Sequence, residues 1–134
     1  MLHLIAPITD RRIRIALVGC GRISANHIRA IALHHERAEL VAICDTQSGR
    51  LEQAQTLIRE AAAEYSCAAS APVVFSSYNA LLQANASGTT PIDLVVLATP
   101  SGLHPGQVIA AAEAGAHVCT EKPMASAGPM VWRW

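Results

Sequence analysis

Residues 19–24 read Gly-Cys-Gly-Arg-Ile-Ser, two glycines one residue apart with a small residue where a third would stand. That spacing suits a backbone turn wrapped around phosphate. Gly19 permits a tight reversal, Gly21 lets the backbone approach a pyrophosphate with no Cβ in the way, and Ser24 is small enough to keep the next helix against the preceding strand. Asp45 lies 24 residues beyond Gly21. A carboxylate there would accept hydrogen bonds from the hydroxyls of an adenosine ribose and repel a 2′-phosphate, favouring NAD over NADP. It would serve equally as a cap for the helix that follows, and the two roles are compatible. Two further clusters stand later in the chain, Ala98-Thr99-Pro100-Ser101-Gly102-Leu103-His104 and Cys119-Thr120-Glu121-Lys122-Pro123. The first reads by itself as either a ligand loop or a turn with a helix cap. In the second, the only lysine of the chain stands beside a carboxylate, with a proline restricting the backbone.

Elements of two kinds alternate to position these residues. Ile13–Val18, Leu40–Cys44, Ile92–Ala98 and Ala116–Cys119 are short apolar runs rich in β-branched residues, as expected of strands buried on both faces of a parallel sheet, with Val73–Phe75 a weaker fifth. Between them a helix is expected over Ser24–His35, with Ile23, His27, Ile28, Ile31 and Ala32 on one face. A second is expected over Ser48–Tyr65, with Leu51, Ala54, Leu57, Ile58 and Ala61 on its apolar face and Glu52, Arg59, Glu60 and Glu64 solvated. A short third covers Ser77–Gln83, and a fourth Gly102–Ala114, with Gly115 placed for a left-handed cap. The stretches Ser66–Ala71 and Asn85–Pro91 read as surface loops. Repeated β-α-β units of this kind imply an α/β fold, a Rossmann-type doubly wound parallel sheet of about five strands, with both late clusters at the carboxyl ends of strands where ligands bind in such sheets.

Composition removes other classes. The 134 residues hold ten basic and ten acidic side chains, so no global field favours nucleic acid or an acidic membrane. No apolar run approaches the ~20 residues that span a bilayer. The first ten residues lack a basic leader, so a cytoplasmic location is expected. Cys20, Cys44, Cys67 and Cys119 form no Cys-x-x-Cys pair and read as reduced, core-like residues, and the six histidines show no zinc-ligand spacing. His34 and His35 fall at a helix end, where the dipole favours a cation.

Taken in order, Gly-Cys-Gly-Arg-Ile-Ser with His27, then Val-Ala-Ile-Cys-Asp, Ala-Thr-Pro-Ser-Gly-Leu-His and Glu-Lys-Pro-Met resemble the Gfo/Idh/MocA family of nicotinamide-dependent sugar oxidoreductases over about residues 12–125. The late clusters are most similar to its UDP-N-acetylglucosaminuronate 3-dehydrogenase branch. That resemblance implies hydride transfer from a sugar-nucleotide hydroxyl to NAD, in a route to surface polysaccharide. By position it implies Gly19, Gly21, Arg22 and Ile23 around the pyrophosphate, Asp45 on the adenosine ribose, and Thr99, Pro100, Ser101 and His104 along the dinucleotide. Glu121 would hold the nicotinamide ribose region. Lys122 would meet the substrate hydroxyl, hydrogen-bonding its oxygen or, with a lowered pKa, moving its proton. A non-catalytic NAD-binding module and the cofactor half of another sugar or inositol dehydrogenase stay open at this point.

The expected organisation is an extension over residues 1–11, a dinucleotide-binding domain over 12–124 and an atypical tail over 125–134. Family members continue from this point into a β-rich substrate domain, whereas here the chain closes Ser-Ala-Gly-Pro-Met-Val-Trp-Arg-Trp. One allowed choice of codons for residues 125–134, read from its third base, spells KRWADGVAM, similar to the R-W-x-D-G-x-x-M segment of the branch. A truncation or frameshift is therefore expected, with activity of these residues alone absent or very low. Apolar surface meant for the lost domain would favour self-association.

Overall fold

The computed structural model describes residues 10–99 and 104–120. Along them run β1 (Ile13–Val18), α1 (Ser24–Leu33), β2 (Ala38–Cys44), α2 (Ser48–Glu64), β3 (Val73–Phe75), α3 (Tyr78–Ser87), β4 (Leu94–Leu97), α4 (His104–Glu113) and β5 (His117–Thr120). The strands form one sheet in the order β3-β2-β1-β4-β5, and every neighbouring pair is parallel. The chain winds outward from β1 to β3, then crosses back to place β4 on the other side of β1. The connections leaving β1 and β4 therefore diverge, which opens a crevice between them at the carboxyl edge.

Period-two alternation sends successive strand residues to opposite faces. On one face Ile15, Leu17, Leu40 and Ile43 pack with Ile28 of α1 and with Leu51, Ala54, Ile58 and Ala61 of α2. On the other, Ala16, Val18, Ala42, Cys44, Val95 and Leu97 pack with Leu81 and Leu82 of α3 and Ala111 of α4. The register skips Val41, so that Val18 ends opposite both Cys44 and Leu97. Leu97 in turn pairs with Thr120. Cys44 lies opposite Phe75, so all five strands finish level and the residues that follow them share one edge.

Several boundaries differ from those expected. β2 begins at Ala38 rather than Leu40, β5 runs His117–Thr120, and β4 is confined to Leu94–Leu97. β4 is shorter because Asp93 turns its carboxylate to the arginines of β1 and its approach, instead of continuing an apolar run. α1 stops at Leu33, α2 at Glu64 and α4 at Glu113. Ile23 is 46% exposed and does not join the packed face of α1, since it precedes the first helical turn. The expected loop from Asn85 is also corrected, because α3 continues through Ser87 and stops at Gly88, whose φ of 80° supplies the left-handed cap. Asn85 stays helical because its side chain donates to Ala114 O (3.1 Å) and accepts from Ile92 N–H (2.8 Å), tying α3 to the chain on either side of β4. Gly115 does adopt the left-handed conformation, with φ of 86°. Cys20 and Cys44 are buried, but Cys119 is exposed on the edge strand β5, so it is not a core residue.

At the amino edge of the sheet, the Asp93 carboxylate accepts from Arg11 Nη1 and Nη2 (2.6 and 2.9 Å), and from Arg14 N–H, Nε and Nη2 (2.8, 3.1 and 3.1 Å). The hydrogen bonds from Arg11, reinforced by those from Arg14 and opposed by burial, hold the Asp93 carboxyl well below the usual carboxylate range. A carboxyl depressed on folding contributes stability above its unfolded pKa of about 4, and that contribution is lost as pH falls towards the folded value. Asp93→Asn should therefore lower stability by about 1 kcal/mol at neutral pH, given solvent screening of the cluster. Urea midpoints measured at neutral pH and near pH 3 should differ less in this variant than in the parent. An unchanged acid limb would exclude the cluster as its source.

Candidate functional site

Where β1 leaves the sheet, Gly19 takes φ of 91°, and a Cβ added to it would lie 2.8 Å from both the carbonyl carbon and the oxygen of Ala98. The ends of β1 and β4 are held together there by Ala98 N–H donating to Val18 O (2.8 Å), while Gly19 N–H donates to Cys44 O (2.8 Å). Gly21 is different. A Cβ there would meet only Arg50 Nη1, at 3.9 Å, so its bareness leaves open space rather than avoiding a clash. Ser24, fully buried, turns its hydroxyl back onto Gly21 O (2.5 Å), which fixes the turn as the sequence requires of a third-glycine substitute.

Asp45 follows β2 directly and is only 8% exposed. Its Oδ2 accepts from Cys20 N–H at 2.8 Å and its Oδ1 from Gln47 N–H at 2.9 Å. The carboxylate is thus a brace between the glycine turn and the β2-α2 connection. It does not cap α2 as one reading proposed. Gln47 occupies the cap position without a side-chain hydrogen bond, and Asp45 acts two residues earlier, on the Gln47 N–H. Cys20 and Cys44 are not nucleophiles here: burial first, then the Asp45 carboxylate, pushes their thiols up to about 12 and about 11.

These elements enclose a cleft of about 300 Å³, lined by Gly19, Gly21, Asp45 and Thr99 together with four residues that the sequence did not single out, Thr46, Arg50, Tyr78 and Gln107. Tyr78 opens α3 and donates its hydroxyl to Gln107 O (2.7 Å), while Thr99 Oγ1 donates to Gln107 Oε1 (2.5 Å). Burial pushes the Tyr78 phenol up to about 12, so it stays a protonated donor across the working range. Tyr78→Phe should keep the aromatic wall and lose one hydrogen bond, costing about 1 kcal/mol of stability, with dinucleotide affinity nearly unchanged in a calorimetric titration. A large loss of affinity would instead place the hydroxyl against the ligand. Of these residues only Arg50 carried a usable sequence signal, five positions after Asp45 at the start of a helix.

The cleft fits a dinucleotide. Among the described residues, the N–H groups of Gly21, Arg22 and Ile23 are given to no protein acceptor, and α1 opens with no capping side chain and no acidic residue in its first turn. An anion beside Gly21 would satisfy those donors and meet the positive end of the helix. Arg22 and Ile23 are exposed on the turn beside the cleft and do not line it. His104 begins α4, and its side chain, like Pro100, Ser101, Glu121 and Lys122, lies outside the described residues. Among the described residues no helix is long and apolar enough to cross a membrane, and no cluster of His, Cys, Asp and Glu could hold a metal ion.

Residues 13–130 match the family model Gfo/Idh/MocA, an oxidoreductase family with an NAD-binding Rossmann fold. The chain is 43% identical to the WlbA dehydrogenase of Chromobacterium violaceum, solved in complex with NADH and UDP-GlcNAcA. That match covers 92% of this chain and 31% of the other, with a TM-score of 0.68. It is 50% identical to the WlbA dehydrogenase of Bordetella pertussis, also solved with NADH and UDP-GlcNAcA, over 89% of this chain and 30% of the other, with a TM-score of 0.64. Inositol 2-dehydrogenase of Acidothermus cellulolyticus is 31% identical over 88% of this chain and 30% of its own length. The chain spans under a third of each of these proteins. The parallel sheet, the glycine turn braced by Asp45 and the match over residues 13–130 agree, and the chain belongs to the Gfo/Idh/MocA family of oxidoreductases, as its NAD-binding Rossmann domain.

Proposed function

We propose that this chain is the cofactor-binding part of a dehydrogenase that oxidises a sugar hydroxyl of a UDP-linked uronic acid of the UDP-GlcNAcA type. The observation that carries the reading is its 43% and 50% identity to two dehydrogenases solved with that substrate, against 31% to an inositol dehydrogenase. In this reading the N–H groups of Gly21, Arg22 and Ile23 hold the pyrophosphate, and Asp45 accepts from the adenosine ribose with the lone pairs left by Cys20 and Gln47. Thr99, Pro100, Ser101 and His104 border the dinucleotide, and Glu121 holds the nicotinamide ribose region. NAD, when bound, supplies the hydride acceptor. Lys122 hydrogen-bonds the substrate oxygen as an ammonium or, with its pKa lowered so that the amine is neutral, takes the hydroxyl proton as the carbonyl forms.

Since the 134 residues span under a third of these relatives, the oxidation belongs to a longer protein. The present residues are proposed to bind NAD and to turn over no sugar by themselves, because substrate must be held against the cofactor for reaction. The test pairs calorimetric titration with NAD against an NADH-formation assay on UDP-GlcNAcA and on myo-inositol. NAD binding without turnover is expected. Sustained NADH formation from UDP-GlcNAcA by these residues alone would overturn the non-catalytic part of the reading. NADH formation from inositol alone would overturn the substrate class.

A further inference from the structure

Among the described residues, the cleft is lined by one carboxylate and one guanidinium, and their pairing bears on which dinucleotides enter. Arg50 Nη1 stands 3.9 Å from Asp45 Oδ2, with its side chain 49% exposed while that of Asp45 is 6% exposed. The two Asp45 oxygens are fixed by Cys20 and Gln47 N–H groups at 2.8 and 2.9 Å. The Arg50 side chain makes no hydrogen bond to any described residue, so its guanidinium is held by charge alone and can re-aim. It also reaches to 3.9 Å from the point where a Cβ of Gly21 would be, so it bridges the two ends of the cleft that the ribose and pyrophosphate readings assign.

A lone buried carboxylate in this position would reject a 2′-phosphate by like-charge repulsion and by its lack of donors. This one is partly neutralised twice, by two backbone donors and by a nearby cation. A 2′-phosphate beside Asp45 would fall within reach of a planar, five-donor group matched to phosphate oxygens.

We propose that Arg50 sets the cofactor range of the cleft, admitting NADP as a second, weaker ligand beside NAD by pairing with the 2′-phosphate next to Asp45. This rests on the reading that the adenosine ribose lies at Asp45.

The 134-residue chain, titrated calorimetrically with NAD and with NADP, provides the test, using the parent, Arg50→Gln and Arg50→Lys. Circular dichroism confirms folding of each; Arg50 is exposed enough that neither change removes packed surface. The parent should bind NADP about tenfold more weakly than NAD. Arg50→Gln should weaken NADP by about a further tenfold, the loss of one charge-assisted contact, while NAD changes less than about threefold. Arg50→Lys should retain most of the NADP affinity, and added salt should weaken NADP more than NAD in the parent. An unchanged NAD-to-NADP ratio in Arg50→Gln would overturn the proposal, as would equal weakening of both. A folded parent that binds NAD but not NADP would overturn it as well, whereas failure of NAD itself to bind the folded parent would defeat the underlying reading of the cleft, and this inference with it.

Discussion

Gly19→Ala should unfold the chain or leave it barely folded, while Gly21→Ala should fold normally and fail in binding. At Gly19 two costs coincide. A φ of 91° is disfavoured for any residue with a Cβ, and that Cβ would sit 2.8 Å from backbone atoms of Ala98, which cannot swing aside as a flexible side chain would. Relief requires separating the ends of β1 and β4 and with them the Ala98-to-Val18 hydrogen bond. Together these should cost about 3–4 kcal/mol, a large share of the stability of a domain this size. At Gly21 the backbone has no positive φ, and the nearest atom to an added Cβ is the far end of the Arg50 side chain. The added methyl projects into the cleft. Urea denaturation should place Gly21→Ala within about 0.5 kcal/mol of the parent, while its NAD affinity falls by about 2 kcal/mol, or roughly thirtyfold. Equal stability of the two variants would contradict the close approach at Gly19. Undiminished NAD affinity in Gly21→Ala would remove the pyrophosphate from that part of the cleft.

The contrast between the two glycines explains what the sequence could and could not convey. The motif at residues 19–24 is local: turn, bare backbone and small residue follow one another, and their roles follow from chemistry that needs no knowledge of distant chain. Asp45 was legible for the same reason, because the length of one β-α-β unit brings the end of β2 beside the end of β1. The remaining walls were not legible. Arg50, Tyr78 and Gln107 reach the cleft from α2, α3 and α4, and only the return of the chain across β1 brings those three helices to one crevice. Reading α2 by its apolar face correctly found Leu51, Ala54, Ile58 and Ala61, but that same reading discards a polar residue in the first turn. Two errors share one cause, since periodicity fails at the ends of elements. Ile23 has the spacing of the α1 face yet precedes its first turn. Asn85 has the composition of a turn yet remains helical, because its side chain satisfies Ile92 N–H and Ala114 O across the fold. Neither tie is visible to a local window.

Asp45→Asn should be more damaging than its near-identical shape implies. The carboxylate accepts with both oxygens, from Cys20 N–H on one side and from Gln47 N–H on the other. An amide offers one oxygen. Whichever way it turns, its NH₂ faces a backbone donor, leaving a buried N–H opposed rather than merely unpaired. With the site 8% exposed, water has little room to repair the loss. The expected cost is about 2 kcal/mol in urea denaturation, and the glycine turn, no longer braced through Cys20, should show faster amide exchange at residues 20–23. NAD binding should weaken by roughly a hundredfold, since the ribose loses an ionised acceptor and the turn loses its preorganisation. Asp45→Ala separates the two contributions. It leaves both backbone donors unpaired where Asn keeps one of the two bonds, so it should be at least as destabilised as the Asn variant. An Ala variant as stable as the parent would mean that the brace to Cys20 and Gln47 is not what holds the turn. The carboxylate would then matter for the ribose alone.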